Sequence, residues 1–352
     1  MSWGSRVRRA RAGGRAGRHR APHRVWQLLA AATAVTAGVA VTAVTATGAS
    51  PARAQGAGSG PGGVVTYQVS AAAQRAALAF WTPARMAAAQ AAVAIPQAPR
   101  ARAGAKPPKG IPTAVHFSGV PTTGALFGTT GSKTHFCTAA TVKSTAGDLI
   151  ITAAHCVDQN GFASNIEYVP EYHKGQSPYG AWPVRTITVA AGWHKGHNPD
   201  LDFAFLAVGP AGGPKIQART GGLTVAWTRW YRETIEVVGY NDTENQPIRC
   251  LTKSFKFRTG QMEFYCHGFW TGTSGGPWII GYNGKTGTGT VFGVIGGYQE
   301  GGDYEWASYS AYFGTPLRNL YVAAEKQPVT PPPPPPTPTP GPQSPSPSPS
   351  AS

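Results

Sequence analysis

The sequence predicts an all-β protein in which two β-units are followed by one short C-terminal helix. From Ile111 to about Gly314, some 200 residues form roughly a dozen short β-rich runs, which Gly, Asn, Asp and Pro separate. One small barrel needs fewer strands, so the pattern predicts two units. The first helical period of convincing length after these runs covers residues 316–325. The clearest runs are Asp148–Ala153, Trp182–Ala190, Asp202–Val208, Gly222–Trp230, Thr234–Tyr240, Lys253–Phe257 and Thr288–Ile295.

The N-terminus has the pattern of an export signal. Eight Arg lie within residues 6–24, an uncharged Ala/Val/Thr-rich run covers residues 28–46, and an A-x-A cleavage pattern follows at residues 52–54. We therefore predict a signal peptide over residues 1–54 and a secreted, extracellular protein. The alternative is a membrane-spanning anchor, because the run is nearly long enough. Its Ala and Thr content makes it only weakly hydrophobic, so we expect no stable membrane association.

The formal charge of +16 belongs to the first 110 residues, which hold fifteen Lys or Arg and no acid. Residues 111–352 are therefore left with a net charge of +1. A near-neutral body lacks the cationic patch that contacts with phosphates require. Nucleic acid is consequently not an expected partner.

Residues 55–110 differ in texture from the β-rich body. An Ala-rich stretch from Ser70 to Ala94 is interrupted by Pro83 and predicts two short helices. A basic, Pro/Gly/Ala-rich segment follows and has the composition of an exposed, cleavable linker. We predict a propeptide with a linker over residues 55–110, and a disordered spacer is the alternative.

The C-terminal residues 327–352 are rich in Pro, Ser and Thr. Twelve Pro occur among the last 22 positions, a composition that favours an extended chain without a core. We predict a disordered tail. Contact with a cell wall through this tail and a role as a plain solvated spacer both stay open.

Three short patterns occur in the order His, Asp, Ser. His155 ends an apolar strand in T-A-A-H-C, Asp202 opens one in D-F-A-F-L, and Ser274 lies in the Gly-rich turn G-T-S-G-G-P. A serine hydroxyl is a weak nucleophile at neutral pH, so an imidazole must accept its proton and a carboxylate must orient the imidazole. The patterns predict a catalytic triad. Asp200 is a rival for the acid because residues two apart share a strand face, but the apolar pattern begins at Asp202.

The serine turn also fits G-x-S-x-G, the nucleophile elbow of α/β-hydrolases. That fold requires a helix after the serine and the order Ser, acid, His. The sequence Gly-Gly-Pro-Trp after Ser274 cannot start a good helix, and no His follows Ser274. The lipase or esterase version of that fold is therefore excluded.

On these motifs the chain resembles the trypsin/chymotrypsin family, particularly its secreted bacterial branch that includes glutamyl endopeptidases. The likeness covers about Gly124 to Tyr321. It implies two six-stranded antiparallel β-barrels of the chymotrypsin type, at about 111–215 and 216–314, in a peptidase domain spanning 111–326. It further implies a serine endopeptidase that acts on protein or peptide substrates through an acyl-enzyme intermediate, without a cofactor. The alternative function is a non-catalytic, wall-associated binding protein on the same fold.

Four cysteines in an exported chain favour two disulfides over metal ligands, although counting alone leaves three pairings open. The resemblance implies the pairs Cys137–Cys156 and Cys250–Cys266. The sequence spacing of His194, His197 and Asp200 is similar to that of a metal site, but we expect these residues to lie in a surface loop. No metal is predicted.

The resemblance also assigns an oxyanion hole to the backbone N–H groups of Gly272 and Ser274. Animal-type members carry Asp directly before the nucleophile, to pair with a newly cut N-terminus, and this chain has Thr273. That activation switch is therefore unavailable. Our hypothesis for the zymogen is that the 55–110 segment blocks the cleft or assists folding until it is cut.

The resemblance places the specificity pocket at residues just before the serine turn and within the Gly-rich stretch Gly293-Val294-Ile295-Gly296-Gly297-Tyr298. Gly268 lies six residues before Ser274, so the buried Asp of trypsin-like enzymes is missing there. Ile295 stands where the glutamyl-specific branch has His, and His267 is a nearby substitute. These features favour an apolar or aromatic side chain before the scissile bond. The predicted pocket residues are His267, Gly268, Phe269, Ile295, Gly297 and Tyr298.

Overall fold

The structure is a computed structural model that describes residues 54–57, 63–91, 106–209, 212–241 and 244–326. The predicted tail and all of the predicted signal peptide except Ala54 lie outside the described residues. In chain order the strands are β1 (Ala54–Ala57), β2 (Val64–Gln68), β3 (Gln90–Ala91), β4 (Val115–His116), β5 (Thr123–Thr130), β6 (Lys133–Thr141), β7 (Leu149–Thr152), β8 (Ser164–Pro170), β9 (Trp182–Ala190), β10 (Ala204–Val208), β11 (Thr224–Val225), β12 (Thr234–Tyr240), β13 (Pro247–Arg258), β14 (Gln261–Tyr265), β15 (Pro277–Asn283), β16 (Thr288–Val294) and β17 (Ala307–Ala311). The α-helices are α1 (Ala71–Phe80), α2 (Pro83–Ala88), α3 (Ala191–Gly196), α4 (Ile216–Thr220) and α5 (Thr315–Glu325).

Strands β5 to β10 form a closed antiparallel barrel of six strands. The order is β9-β10-β7-β6-β5-β8, and β8 pairs back with β9. The apolar run of β7 is fully buried, as are Tyr168, Ile187 and Leu206, which belong to the same core cluster. The barrel places the end of β7 beside the start of β10, because Thr152 and Ala204 are register partners.

The second sheet has the strand order β11-β16-β15-β12-β13-β14-β17, and β4 adds to β13. Its core contains Phe264, Trp278 and Phe292. The ring of Trp278 contacts each of the two Phe rings edge to face. The predicted run Gly222–Trp230 is a strand only over the two residues of β11. Thr228 has φ +57°, a left-handed conformation that ends extended structure.

The predicted terminal helix is confirmed as α5. Pro316 occupies its first turn, where the missing N–H costs nothing. Leu317, Leu320 and Ala324 are buried and join the core of the first barrel. The mostly β architecture with one C-terminal helix therefore agrees with the sequence prediction.

Part of the predicted propeptide is integrated into the first barrel. Strand β2 pairs with β9 over five residues, from Val64 opposite Ala190 to Gln68 opposite Thr186. The interpretation that residues 55–110 lack strand-like patterning is therefore wrong at β2, where Val64-Val65-Thr66-Tyr67 consists of residue types that favour strands. The two predicted short helices are present as α1 and α2, and Pro83 is the first residue of α2.

Helices α1 and α2 cover the outer face of the first barrel. Trp81 is only 4 % exposed, and its indole Nε1 donates to the backbone oxygen of Asn165 at 2.6 Å. Its ring centroid lies 5.2 Å from that of Phe127. Met86 and Ala89 are buried in the same cluster. Residues 63–91 thus pack on the barrel, while removal of the 55–110 segment remains a prediction.

Two disulfides join Cys137 to Cys156 and Cys250 to Cys266, as the resemblance implied. The first connects β6 to the short 3₁₀ turn Ala154–Cys156. Within the part of the chain that the structure describes, no helix has the length and apolarity needed to cross a bilayer.

Candidate active site

His155 and Asp202 meet at the end of the first barrel where β7 stops and β10 begins. The imidazole Nδ1 of His155 lies 2.8 Å from Oδ2 of Asp202. The backbone N–H of His155 donates to Oδ1 of the same carboxylate at 2.9 Å. Gly297 N also donates to Oδ2, at 2.7 Å. The Asp202 carboxylate is fully buried, and the three hydrogen bonds satisfy it there. They also fix the imidazole of His155 in one orientation.

The electrostatics at His155 favour the imidazolium. Burial by itself would lower the pKa of His155. The charge of Asp202 and its hydrogen bond, together with the charge of Glu300, outweigh burial and raise this pKa above its ordinary value. A buried imidazole paired in this way is suited to hold a proton for part of a reaction.

Asp200, the rival acid, has other partners. It forms an ion pair of 2.9 Å with Arg258 and accepts from Nε2 of Gln261 at 2.8 Å. Asp200 lies within the short 3₁₀ helix Pro199–Leu201, and Asp202 directly follows it, so the two acids do not share a strand face and their side chains have different partners. The structure thus brings Asp202, and not Asp200, to His155.

The metal-like spacing His194-x-x-His197 does not bring its residues together with Asp200. His194 Nδ1 lies 2.8 Å from the carboxylate of Asp158, and the His197 ring contacts Trp193. Among the described residues, the side chains that lie close enough together to share a metal ion are His155 and the two cysteines of the first disulfide. Disulfide sulfurs offer no thiolate, so this cluster does not fit a metal ion.

The turn that carries Ser274 packs tightly against β6 and the end of β7. Thr138 N donates to the backbone oxygen of Ser274 at 2.7 Å, and Gly275 N donates to Ile295 O at 2.7 Å. Gly275 has φ +79°, and a Cβ there would overlap Thr138 O and Thr152 Oγ1. Glycine is therefore required for this close approach. It holds Ser274 beside the residues that lead directly to His155.

The backbone around the serine presents two N–H groups without an intramolecular acceptor. Among the described residues, neither Gly272 N nor Ser274 N donates to another group, whereas Thr273 N and Gly276 N are both used within the turn. Gly272 has φ +100°, and a Cβ there would lie 2.7 Å from Tyr240 O. This geometry suits the binding of an anionic oxygen by two backbone donors.

Thr273 occupies the position where animal-type relatives have Asp. Its hydroxyl donates to Trp270 O at 2.8 Å, and the residue is 3 % exposed. The side chain therefore stabilises its own turn.

A cavity of about 250 Å³ opens beside Ser274. Its lining comes from the segment 269–274, from the wall of residues 299–305, and from Ile295 and Ser308. Of the predicted pocket residues, Phe269 and Ile295 line this cavity.

The other predicted pocket residues lie around the cavity rather than in its lining. His267 Nδ1 lies 2.9 Å from Glu305 Oε1, and Gly268 N donates to Glu305 Oε2 at 2.6 Å. Gly297 binds the Asp202 carboxylate, as described above. The ring of Tyr298 packs against those of Phe257 and Tyr309.

The sequence analysis missed the wall formed by residues 299–305. This segment carries Glu300, Asp303 and Glu305, three of the fifteen acids of the whole chain. The acidic run that follows Gly296-Gly297-Tyr298 was the available signal.

Comparison with known proteins gives a consistent result. The sequence profile of the family described as Trypsin matches residues 112–313, more than half of the chain. The protease Anisep from Arthrobacter nicotinovorans is 23 % identical with a TM-score of 0.55, covering 61 % of this chain and all of that one. The thermostable serine protease AL20 from an extremophilic microorganism is 24 % identical with a TM-score of 0.53, covering 59 % and 98 %.

A structure of a Glu endopeptidase is 15 % identical with a TM-score of 0.50, covering 62 % of this chain and 99 % of that one. A search of curated proteins returned no match. The structural likeness, with a closed six-stranded barrel, a second sheet and a C-terminal helix, confirms the predicted fold of the chymotrypsin type.

Proposed function

The chain belongs to the trypsin family, and from this membership we propose that it is a serine endopeptidase acting on protein or peptide substrates. The observation that carries the proposal is the buried pair of His155 and Asp202, 2.8 Å apart, next to a serine turn that opens onto a cavity. The family match and the protease neighbours support a peptidase in general. The triad, the mechanism and secretion are our proposals.

In the proposed reaction Ser274 Oγ attacks the carbonyl carbon of the scissile peptide bond while Nε2 of His155 accepts the hydroxyl proton. The carbonyl oxygen becomes an anion and binds the N–H groups of Gly272 and Ser274. His155 then gives its proton to the departing amine, which leaves an ester between Ser274 and the acyl part. Water attacks this ester in the same way, with His155 again as the base. Asp202 stabilises the imidazolium in both halves.

A fluorophosphonate probe tests whether Ser274 is an activated nucleophile. We expect the wild-type protein to be labelled and Ser274→Ala to lose all labelling, because the probe reacts only with a serine whose proton is accepted by a base. Ser164→Ala, which removes an exposed hydroxyl at the start of β8 and away from the cavity, serves as the matched control and should label like wild type. Failure of the folded, fully processed wild type to react would instead favour the binding-protein alternative.

We propose that the protein is exported and that its two disulfides form outside the cytoplasm. Disulfides form and persist in oxidising compartments. The export pattern within residues 1–54 supports the same conclusion from the sequence. The proposed localisation is therefore extracellular.

For the 55–110 segment we propose a role in folding or stability rather than in blocking the cleft. Its described part contributes β2, α1 and the buried Trp81 to the outer face of the first barrel. None of the described residues 63–91 lines the cavity beside Ser274. These contacts support a segment that stays bound after the chain is cut.

Cutting the linker between residues 92 and 110 should leave the two pieces associated. We expect them to elute together in size-exclusion chromatography and to separate only in denaturant, because the interface buries Trp81, Met86 and Val65. Trp81→Ala should release the N-terminal piece, whereas Leu78→Ala, which changes an exposed side chain of α1, should retain it. Spontaneous release of the wild-type piece with a rise in peptidase activity would point to a blocking role.

A further inference from the structure

We propose that Tyr67, in the N-terminal segment, is a positioning residue for His155. The proposal rests on the proposed function, because it concerns the histidine that serves as the base in the proposed reaction. It gives the N-terminal segment a part in catalysis beyond folding and stability. Tyr67 acts through residues 156–163, which follow His155 directly and which we call the histidine loop.

The histidine loop is hydrogen-bonded to the turn that contains His155. Asp158 N donates to the backbone oxygen of Ala154 at 2.9 Å, and Val157 N donates to the same oxygen at 3.0 Å. The loop also closes on itself, because Asp158 and Phe162 form an isolated β-bridge. The position of Asp158 is therefore coupled to that of the His155 backbone.

Helix α3 holds Asp158 at two points. Nε1 of Trp193 donates to the backbone oxygen of Asp158 at 2.7 Å. Nδ1 of His194, the next residue of the helix, lies 2.8 Å from Oδ2 of Asp158. Asp158 and Trp193 are both buried, so water competes little for these hydrogen bonds. The histidine loop thus depends on α3 as well as on its own turn for its position.

A stack of three rings connects the N-terminal segment to this arrangement. The ring of Tyr67 stacks on that of Phe162, with 4.7 Å between the centroids and 19° between the planes. The ring of Phe162 also stacks on that of His194, at 5.1 Å and 14°. Both separations lie in the range of favourable aromatic pairs. The stack extends from β2 to the imidazole that contacts Asp158.

The N-terminal segment also contacts the first residue of α3. Ala191 N donates to the backbone oxygen of Gly63 at 2.8 Å. The pairing of β2 with β9 begins next to this bond, where Val64 lies opposite Ala190. The segment therefore contacts both the histidine loop and the helix that holds the loop.

Loss of the Tyr67 ring would remove one of the two stacking partners of Phe162. Apolar ring area of Phe162 would then be exposed to water, which favours other positions of the loop. A small displacement of the His155 backbone is enough to affect the reaction, because the imidazole must lie within hydrogen-bond reach of Ser274. A contact that only stabilises the fold would instead lower the melting temperature and leave the imidazole in place.

The rate of labelling with the fluorophosphonate probe tests the proposal on the full chain. Tyr67→Ala should lower this rate about 10- to 100-fold, because a misplacement of about 1 Å can cost about 10² in rate. Tyr67→Phe keeps the ring and should label at the wild-type rate. Phe80→Ala is the matched control, since it removes a ring of the same segment that contacts Trp81 rather than the histidine loop. It should label within a few-fold of wild type.

Phe162→Leu provides a second variant in case Tyr67→Ala fails to fold. Phe162 is half-buried and lies in the histidine loop itself, and leucine keeps an apolar side chain without the flat ring. We expect the same direction of effect, with a labelling rate at least about tenfold below wild type. The melting temperature of each variant shows whether its fold is retained.

Proton NMR distinguishes a positioning role from a structural one. The proton between Nδ1 of His155 and the buried carboxylate of Asp202, 2.8 Å apart, should resonate far downfield. Its absence from Asp202→Asn identifies the signal. The signal should shift or broaden in Tyr67→Ala and stay unchanged in Tyr67→Phe and Phe80→Ala. An unchanged signal in folded Tyr67→Ala would show that the contact is structural and would overturn the proposal.

The labelling results separate the two levels of proposal. An unlabelled wild-type protein overturns the proposed function and the positioning role with it. A labelled wild type whose rate is matched by folded Tyr67→Ala or Phe162→Leu overturns the positioning role alone. A loss in these two variants, with normal labelling of Tyr67→Phe and Phe80→Ala, supports both.

Discussion

Asp202→Asn is expected to lower kcat on a peptide substrate about 10⁴-fold at neutral pH. The amide group of Asn would donate to Nδ1 of His155, where the carboxylate now accepts at 2.8 Å. The imidazole would then carry its proton on Nε2, the nitrogen that must accept the proton of Ser274. The variant would also lose the charge that raises the pKa of His155.

Asp200→Asn is the matched control, because it makes the same chemical change two residues away. Asp200 contacts Arg258 and Gln261 rather than His155, so kcat should stay within a few-fold of wild type. Both variants should be compared by kcat and by melting temperature, to separate loss of chemistry from loss of fold. An equally inactive but folded Asp200→Asn would contradict the assignment of Asp202 as the acid.

The second large effect concerns Glu167, a fully buried carboxylate in β8. Neither of its carboxylate oxygens has a hydrogen-bond partner among the described residues. Glu167 lies opposite Phe127 on β5 and Pro183 on β9. It therefore shares the outer face of the barrel with Phe127, whose ring contacts Trp81. The carboxylate is buried where the N-terminal segment covers the barrel.

No charge offsets the burial of Glu167. The basic residues of the neighbouring elements are Arg75 of α1 and Arg85 of α2, which are exposed, and Arg185 of β9, which pairs with Asp148 at 2.6 Å. Burial consequently raises the pKa of Glu167 from 4.5 to about 8. The folded protein keeps this group protonated at neutral pH, although the unfolded chain would ionise it.

The sign of the pH effect follows from this difference. Between pH 4.5 and 8 the folded state holds a proton that the unfolded state has lost, so stability falls as pH rises. The contribution of Glu167 is fully present below the unfolded pKa and is lost as pH rises through the folded pKa. The total loss is about 5 kcal/mol.

Chemical denaturation of wild type and Glu167→Gln between pH 4 and 9 measures this term. The variant cannot ionise, so its free energy of unfolding should match that of wild type near pH 4 and exceed it by about 5 kcal/mol at pH 9. Glu233→Gln, at a partly exposed ion pair, should differ from wild type by less than about 1 kcal/mol at every pH. Parallel curves for wild type and Glu167→Gln would show that the carboxylate is hydrated in the folded state.

The sequence was informative where chemistry depends on short contiguous patterns. His155, Asp202 and Ser274 each sit in a local motif whose residue types are set by the strand end or tight turn that carries them. The strand runs 182–190 and 234–240 and the terminal helix were likewise predictable, since apolar periodicity reports local burial. Nucleic acid was not an expected partner, because residues 111–352 are near neutral. The net charge follows from counting the charged residues and needs no structure.

The rest depended on segments that are far apart in sequence and close in space. Residues 299–305 and the segment 269–274 line one cavity only because the fold brings them together, and β2 is paired as a strand with β9. Glu167 looks like an ordinary strand residue until α1 and Trp81 cover its face of the barrel. Local propensity and short motifs predicted many of the elements and the candidate catalytic residues. Long-range packing alone decided which charges are buried and which side chains face the cavity, because burial and desolvation depend on the neighbours that the tertiary fold supplies.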